Sequence, residues 1–285
     1  MSDLPTIRAG AVMSLFDLTG QVAIVTGATK GIGRAIAGLF TDHGARVVVS
    51  SRNQSDCEAV ADTLNSSRGE LCAIAHSSDI SDRESLAPLV QAGVDRWGRI
   101  DTLVSNASLS PAGSIETFDE LQFADVLTAN VRNNAVLARL VIPWMREAGG
   151  GSMVFITASS GVAPRPQRMI YGTSKAALAY LAKTLAIDLG RYNIRANAVA
   201  PGVTRTEISK ATWTRPDLLR IAVGDAPLGR IGEPDEVAAC VLFLASKGGA
   251  YTTGQTILVD GGITLQGHEG ISRVAEIKAA ETQDE

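Results

Sequence analysis

The chain has 285 residues, of which 45% are hydrophobic and 20% are charged, and its formal net charge is −4. This composition is typical of a globular protein with one large core, and its scattered charges give no indication of the basic face that nucleic-acid binding favours. No apolar run reaches the roughly 18 residues that a membrane span needs, and no basic segment before an apolar core marks a secretory signal. The three cysteines show no CxxC spacing, which argues against a disulfide framework or a metal site and predicts a reduced, cytoplasmic setting.

Apolar segments of strand type alternate with helical patterns along the chain. Strands are predicted at 22–25, 46–50, 71–75, 102–105, 153–156, 195–199 and 256–259, and helices at 33–43, 55–66, 82–97, 119–147, 171–191 and 234–245. This alternation implies right-handed βαβ units, and therefore an α/β fold of Rossmann type with a doubly wound parallel sheet and helices on both faces. No linker rich in Pro, Gly or Ser divides the chain. We therefore expect a single domain over 1–285, with its core at about 17–262, a leader at 1–16 and a tail at 263–285.

A glycine cluster lies between the first predicted strand and the first predicted helix. Its members are Gly27, Gly31 and Gly33, in the spacing G-x-x-x-G-x-G. Glycine lets the backbone turn sharply and approach a pyrophosphate, while the helix N-terminus offers free N–H groups and a positive dipole end. The position after a strand and before a helix predicts that the domain binds a dinucleotide. The alternative is a tight turn without a ligand.

The end of the second predicted strand indicates which dinucleotide binds. An acidic residue there binds the adenosine ribose 2′-hydroxyl, whereas an arginine accommodates a 2′-phosphate. This chain has Ser51 and Arg52 at that point, and Lys30 lies within the glycine loop. We therefore predict NADP(H) rather than NAD(H) as the cofactor. The alternative is that Arg52 is a solvated surface charge.

Tyr171 and Lys175 are four residues apart and share one face of a predicted helix. A free tyrosine titrates near pH 10, too high for easy proton exchange at neutral pH. A nearby ammonium favours the phenolate and lowers the tyrosine pKa, and a lysine can also hydrogen-bond a ribose. The pair predicts a tyrosine general acid/base, with an ordinary amphipathic helix surface as the alternative.

These motifs, in this order, resemble the classical short-chain dehydrogenases/reductases over about residues 17–262. The motifs are the loop 26–33, Asp79, the segment 105–108, Asn130, Tyr171 with Lys175, Pro201 with Gly202, and the segment 259–262. The resemblance implies hydride transfer between a nicotinamide cofactor and a small-molecule ketone, aldehyde or alcohol. Tyr171 would exchange the proton, Lys175 would bind the nicotinamide ribose, and Asn130 would hold a water in a relay with Lys175.

The resemblance also implies a set of cofactor-binding residues. They are Gly27, Thr29, Lys30, Gly31, Ile32, Gly33, Ser51, Arg52, Asp79, Ile80, Asn106, Ala107, Tyr171, Lys175, Pro201, Gly202, Val203 and Thr206. Asp79 and Ile80 would contact the adenine. Val203 and Thr206 would contact the nicotinamide carboxamide. Asn106 would support the cofactor and the sheet, although a purely structural role for Asn106, and for Asn130 and Asp79, remains the alternative.

Two positions depart from the family pattern. Family members usually have Asn-Asn-Ala-Gly after the fourth strand, but here Ser108 replaces the glycine and adds a side chain that can alter substrate access. They also carry a serine about thirteen residues before the tyrosine, which hydrogen-bonds the substrate oxygen as charge develops. That position is Ala158, and Ser159 follows it. We predict Ser159 as the catalytic substitute; the alternative is that the serine is missing and carbonyl reduction is impaired.

The sequence leaves the substrate and the competing functions open. By resemblance, the segment 203–229 is expected to form a lid over the substrate. Arg165 and Arg168 favour an anionic substrate, or else they are surface charges or subunit contacts. Enoyl reduction or epimerisation on the same fold, and a non-catalytic NADP-binding scaffold, are the alternatives to carbonyl reduction. Relatives are often dimers or tetramers, so we expect a homo-oligomer with contacts through the helices at 119–147 and 171–191.

Overall fold

The computed structural model describes residues 14–116, 118–224 and 226–265. Its strands are β1 (Val22–Thr26), β2 (Arg46–Ser51), β3 (Ala73–Ser77), β4 (Thr102–Ser105), β5 (Gly151–Ile156), β6 (Ile194–Pro201) and β7 (Thr256–Val259). They form one sheet in the order β3-β2-β1-β4-β5-β6-β7, and every neighbouring pair is parallel. The strand order reverses between β1 and β4, and the crevice at such a switch point is where open α/β sheets bind their ligands.

Helices cover both faces of the sheet. They are α1 (Gly31–Asp42), α2 (Gln54–Arg68), α3 (Leu86–Trp97), α4 (Glu120–Leu127), α5 (Asn133–Glu147), α6 (Met169–Leu189), α7 (Lys210–Thr214), α8 (Pro216–Gly224) and α9 (Pro234–Ala245). One core joins the sheet to α1, α2 and α9, and the other joins it to α3, α5 and α6. Along β1, Ala23 and Val25 belong to the first core, while Val22 and Ile24 belong to the second. Since successive strand residues face opposite sides, the predicted fold with a doubly covered parallel sheet is confirmed.

The third strand begins two residues later than predicted. Leu71 is 49% exposed, and the backbone N–H of Cys72 donates to the Asn65 side-chain oxygen at 2.9 Å. The apolar pair at 71 and 72 therefore belongs to the connection from α2. β3 instead continues to Ser77, which is paired with Ser51 of β2. Pairing with a neighbouring strand overrides the weak β-preference of these polar residues.

The predicted helix at 119–147 is divided by a π-helical turn. This turn, Thr128–Arg132, separates α4 from α5, and the N–H of Asn133 donates to the carbonyl of Thr128, five residues back. Such turns often occur at functional sites because they redirect side chains. Asn130 lies within the turn.

The predicted ends of the chain lie partly outside the described residues. Residues 1–13 of the leader and 266–285 of the tail are among those not described. The described part of the leader runs into the core at Leu18, which is 1% exposed and whose N–H donates to the carbonyl of His43 at 2.8 Å. At the other end, Ile263 is buried and the Asp260 carboxylate accepts the N–H of Gly262 at 2.9 Å. Within the described residues, no helix combines the length and apolar character of a membrane span.

Candidate active site

The glycine loop between β1 and α1 cannot accept larger residues. Gly27 and Gly31 have φ angles of +63° and +50°, in the left-handed region that glycine adopts without penalty. A Cβ atom on Gly33 would lie 2.2 Å from the carbonyl oxygen of Gly27 and 2.6 Å from the side-chain nitrogen of Asn106. The loop is therefore packed backbone to backbone. This close approach at a helix N-terminus provides the cradle that a pyrophosphate requires.

Asn106 holds the glycine loop against β4. Its side-chain nitrogen donates to the carbonyls of Thr26 at 3.0 Å and Gly27 at 3.1 Å. In return, the Thr26 hydroxyl accepts the N–H groups of Asn106 at 3.0 Å and Ala107 at 3.1 Å. Both amide protons of Asn106 thus have protein partners. These bonds support the structural interpretation of Asn106, and its contact with a cofactor stays a prediction.

A cavity of about 440 Å³ opens above this loop. The predicted cofactor residues on its wall are Gly27, Thr29, Lys30, Gly31, Ile32, Ser51, Arg52, Asp79, Ile80, Asn106, Ala107 and Thr206. Gly33 does not line it, because its role is to pack beneath the loop. Glu207 and Ile208 also line the cavity and were missed, because they lie in the segment after β6, which has no motif of its own. The remaining predicted cofactor residues line the neighbouring cavity described below.

A second opening, of about 640 Å³, adjoins the carboxyl end of β2. Lys30 and Arg52 both line it and are exposed, and neither forms a salt bridge within the described ranges 14–116, 118–224 and 226–265. Asp56 is the carboxylate on the wall. Asn53 also lines the opening, but its side-chain oxygen is used to cap α2 by accepting the N–H of Ser55 at 3.0 Å. Two cations without acidic partners can bind a phosphate group here.

Tyr171 and Lys175 extend from the first turns of α6 into buried surroundings. Lys175 is 2% exposed, its Nζ atom donates to the carbonyl of Ile156 at 2.7 Å, and it lies 5.5 Å from the centroid of the Tyr171 ring. Complete burial lowers the pKa of Lys175 to about 7. Burial also raises the pKa of Tyr171 to about 12, partly offset by the positive charge of Arg168.

The predicted lowering of the Tyr171 pKa by Lys175 is therefore wrong for the protein alone. Desolvation outweighs every favourable charge near the phenol, and the largest opposing charge belongs to Arg168 rather than Lys175. The Lys175 ammonium is itself destabilised by burial and is directed to a backbone carbonyl. Sequence spacing places the two side chains on one face of the helix, but it contains no information about how deeply that face is buried.

Asn130 is fully buried, and its amide is committed to protein partners. Its side-chain nitrogen donates to the carbonyl of Leu109 at 2.8 Å and to the hydroxyl of Ser174 at 3.0 Å, while its oxygen accepts the N–H of Leu109 at 2.8 Å. The amide therefore ties the π-helical turn to α6 and to the segment after β4. Both Asn130 amide protons thus have protein partners, and a contact with Lys175 through water stays a prediction.

Asn134 is a further buried amide that the sequence analysis missed. Its side-chain nitrogen donates at 3.0 Å to the carbonyls of Ala129 and Asn130, and its side-chain oxygen accepts the hydroxyl of Ser105. It thereby stabilises the π-helical turn, whose carbonyls do not all follow the α-helical pattern. The run Asn130 to Asn134, with three asparagines inside a helix, was the available signal.

The cavity beside Tyr171 measures about 210 Å³. Of the predicted residues, it is lined by Ile32, Asn106, Ser159, Tyr171, Lys175, Pro201, Gly202, Val203 and Thr206. Ala158 and Ser159 both lie on its wall, and Ser159 is 5% exposed. The Ser159 hydroxyl has no hydrogen-bond partner within the described chain, whereas its backbone carbonyl accepts the N–H of Val162 at 3.0 Å. An unpartnered hydroxyl on the wall of the cavity that also contains the Tyr171 phenol can donate to a substrate oxygen.

The segment after β6 covers the glycine loop. The indole N–H of Trp213, in α7, donates to the carbonyl of Thr206 at 3.0 Å. A Cβ atom on Gly31 would lie 2.9 Å from the Thr206 side chain, so this segment and the loop are in close contact. Thr206 lines both the cofactor cavity and the cavity beside Tyr171. The predicted lid therefore meets the site through Thr206 and through α7, whose Thr212 lines the cavity beside Tyr171, and its movement stays a prediction.

Comparison with known proteins places this chain among well-studied relatives. A family model described as enoyl-(acyl carrier protein) reductase matches residues 27–264. Dehydrogenase/reductase SDR family member 4 of Bos taurus is 39% identical over 250 residues, covering 86% of this chain and 88% of the relative. A 3-oxoacyl-acyl-carrier-protein reductase of Thermotoga maritima is 33% identical over 249 residues, covering 87% of this chain and 99% of the relative. The chain belongs to the short-chain dehydrogenase/reductase family.

Solved structures of this family share the fold closely. A 7α-hydroxysteroid dehydrogenase with NADH and 7-oxo glycochenodeoxycholic acid has a TM-score of 0.83 at 33% identity, covering 87% of this chain and 96% of its own. A gluconate 5-dehydrogenase from Burkholderia cenocepacia with NADP and tartrate has a TM-score of 0.83 at 29% identity, covering 89% and 98% of the two chains. The protein is thus a short-chain dehydrogenase/reductase of the NAD(P)-dependent, carbonyl–alcohol type.

Proposed function

We propose that this enzyme interconverts a ketone or aldehyde and an alcohol with NADP(H), using Tyr171 as the proton donor and acceptor. The observation that carries the proposal is the shared wall of two cavities. Ile32 of the glycine loop and Thr206 of the lid line both the cofactor cavity and the cavity that contains Tyr171, Lys175 and Ser159. A dinucleotide held by the loop would therefore end beside the phenol, where a carbonyl compound has room to bind.

The residues of this cavity divide the chemistry between them. When bound, the nicotinamide supplies or receives the hydride. In the reductive direction, the Tyr171 hydroxyl donates a proton to the substrate oxygen; in the oxidative direction, it removes one. The Ser159 hydroxyl donates a hydrogen bond to the same oxygen while negative charge develops there. Lys175 lies beside the tyrosine ring, with its Nζ atom 5.5 Å from the ring centroid, and would hydrogen-bond the nicotinamide ribose when the cofactor is bound.

The preference for NADP(H) rests on the opening at the end of β2. Lys30 and Arg52 are exposed cations on its wall and lack acidic partners within the described residues, while the ribose-binding carboxylate expected for NAD is not found at 51 or 52. The two structural relatives above contain NADH in one case and NADP in the other, so the residues of this chain decide the proposal. Quenching of tryptophan fluorescence, with NADPH and NADH titrated in parallel, tests it, because Trp213 contacts the cofactor wall at Thr206.

The catalytic role is tested by replacing Tyr171 with Phe. The control is Tyr251→Phe, because the Tyr251 side chain is fully exposed and lies outside α6. We expect Tyr171→Phe to lower the rate of carbonyl-dependent NADPH oxidation by about 10²–10⁴-fold, while NADPH affinity stays within about twofold. Tyr251→Phe should match the wild type. Full activity of the Tyr171 variant would refute the proposal, and NADPH binding without turnover of any carbonyl by the wild type would favour the scaffold alternative.

Enoyl reduction is the second candidate. The position of the usual family serine is occupied by Ala158, which lies on the cavity wall, and the matching family model is described as an enoyl reductase. An α,β-unsaturated ketone distinguishes the two reactions. Carbonyl reduction yields the allylic alcohol, whereas enoyl reduction yields the saturated ketone, and gas chromatography separates these products.

We further propose a homo-oligomer that associates through α6. Tyr180 and Ile187 are 71% and 83% exposed, and their spacing of two helical turns places them on one face of α6. An apolar stripe of this kind is typical of a helix covered by a partner. Sedimentation equilibrium should give a mass of two or four chains, and Ile187→Glu should shift that mass toward the monomer.

A further inference from the structure

Cationic side chains line the cavity beside Tyr171. Arg165, Arg168 and Lys175 lie on its wall, and no aspartate or glutamate does so within the part of the chain that the structure describes. The other polar residues there are mainly hydroxyls, among them Ser108 and Ser110. Because a cation away from bulk water is stabilised by a nearby anion, this wall is suited to a negatively charged substrate.

Arg168 is positioned at the cavity by two contacts. Its Nη1 atom donates to the hydroxyl of Ser110 at 3.3 Å, and its Cζ atom lies 5.8 Å from the centroid of the Tyr171 ring. It is half-buried and forms no salt bridge among the described residues. One N–H is therefore used in positioning, and the rest of the planar guanidinium fork is available to a carboxylate.

The backbone around Arg168 is fixed in an unusual conformation. Gln167 has a φ angle of +61°, which is unfavourable for a residue with a side chain. Two hydrogen bonds stabilise this conformation: the N–H of Gly113 donates to the carbonyl of Gln167 at 3.1 Å, and the N–H of Met169 donates to the carbonyl of Gly113 at 3.4 Å. Backbone strain of this kind is found most often at active sites and ligand-binding sites, where it helps to orient a side chain. Here it places Arg168 directly before the first turn of α6, beside Tyr171.

We propose that the substrate is a short oxo acid, or the matching hydroxy acid, whose carboxylate is bound by Arg168. This inference rests on the proposed carbonyl–alcohol reaction and identifies its substrate class. Arg168 and Tyr171 are close together and the cavity measures about 210 Å³, so the carboxylate lies only a few bonds from the reacting carbonyl. Ser110 is a positioning residue that orients the guanidinium.

The test compares short oxo acids with their uncharged methyl esters. We would assay 2-oxobutyrate, acetoacetate and 4-oxopentanoate, each paired with its ester, in the wild type and in Arg168→Gln, Arg168→Lys and the remote control Arg96→Gln. Arg96 is exposed and does not line the cavity. For at least one pair, the wild type should favour the acid over the ester by about tenfold or more in kcat/KM, the range expected for a charge-assisted hydrogen bond.

The variants distinguish carboxylate binding from a general effect of charge on Tyr171. Arg168→Gln should lower kcat/KM for the acid by about 10–100-fold and change the ester by less than about threefold. Arg168→Lys retains the positive charge beside Tyr171 but loses the planar fork, so it should recover only part of the preference. Equal losses on acid and ester in Arg168→Gln, or no preference for any acid in the wild type, would overturn the inference.

A binding measurement separates this inference from the proposed function. Calorimetry would compare 3-hydroxybutyrate with its methyl ester on the wild-type enzyme saturated with NADPH, where no reaction occurs. Tighter binding of the acid, lost in Arg168→Gln but not in Arg96→Gln, supports the carboxylate site even if turnover fails. If the enzyme turns over esters but neither the assay nor calorimetry shows a preference for acids, the proposed function stands and the inferred carboxylate site at Arg168 is refuted.

Discussion

The Nζ atom of Lys175 donates to the backbone carbonyl of Ile156 at 2.7 Å, at the end of β5 and beneath the ring of Tyr171. This contact fixes the lysine at the floor of the substrate cavity. It also places an ammonium in a site that is almost completely removed from water. Lys175, which is proposed to support proton transfer, therefore destabilises the folded protein without cofactor. The size of this destabilisation depends on pH.

Replacing Lys175 with Met should change how stability varies with pH. The folded-state pKa of Lys175 is about 7, against the ordinary lysine pKa of 10.5, so the unfolded chain binds more protons between these values. Wild-type stability therefore gains up to about 1.4 kcal/mol per pH unit from this group as the pH rises from 7 to 10.5, and below pH 7 the full cost is present. Lys175→Met should lack this gain. The free energy of unfolding of the variant should therefore exceed that of the wild type by most at pH 6, and the difference should decrease toward pH 10.

Urea unfolding at pH 6, 7.5 and 9 measures this difference. Lys247→Met is the control, because Lys247 is an exposed lysine outside the proposed interface on α6. Its free energy of unfolding should follow the wild type at every pH. A constant difference between Lys175→Met and the wild type across this range would contradict the buried-charge explanation.

Gly33→Ala should disable the cofactor loop. The added Cβ would lie 2.2 Å from the carbonyl oxygen of Gly27, and both groups belong to backbone that cannot move separately. We expect NADPH affinity to fall by about 100-fold or more, since the loop has to open for the methyl group. Gly38→Ala, on the same helix, meets its nearest atom at 4.0 Å and should stabilise the protein by up to about 1 kcal/mol. Unchanged NADPH affinity in Gly33→Ala would show that the loop is not a close-fitting cradle.

Ser159→Ala should lower kcat for carbonyl reduction by about 10²–10³-fold, because one donor to the developing oxyanion is lost. Its hydroxyl has no protein partner within the described residues, so the loss of folding stability should be small. Ser160→Ala is the control, and Ala158→Ser in the Ser159→Ala background tests whether the usual family position can restore activity. If Ser159→Ala keeps full kcat, Ser159 does not replace the usual family serine, and that serine is missing from this chain.

Arg52→Gln should reduce the affinity for NADPH and leave that for NADH unchanged. Loss of one charge-assisted contact with a 2′-phosphate predicts a decrease of about 10–100-fold, because such a contact is worth about 1.5–3 kcal/mol. Arg34→Gln removes an exposed charge from the same region without changing the wall of this opening, so it serves as the control. An equal decrease in affinity for NADPH and NADH in Arg52→Gln would indicate that Arg52 contacts a part of the adenosine other than the 2′-phosphate.

Local patterns predicted those elements that carry their own end signals. The helix predicted at 234–245 coincides with α9, where Pro234 occupies the first turn and Glu233 and Glu236 form a capping box. The strand predicted at 102–105 coincides with β4. The strand predicted at 71–75 was displaced because its position depends on pairing with β2, which leaves no local trace. The two short helices of the lid, α7 and α8, were not predicted, because the local sequence does not show where they begin and end.

The sequence by itself determined which chemical groups meet. The four-residue spacing of Tyr171 and Lys175, and the glycines between a strand and a helix, determine local geometry through the helix period and backbone sterics. Only the tertiary structure decided how readily those groups bind and release protons. Burial sets the pKa of Tyr171 to about 12 and that of Lys175 to about 7. Desolvation depends on every segment that packs around a group, and Arg168, next to Tyr171, is also held by Ser110 and Gly113, which are distant in sequence.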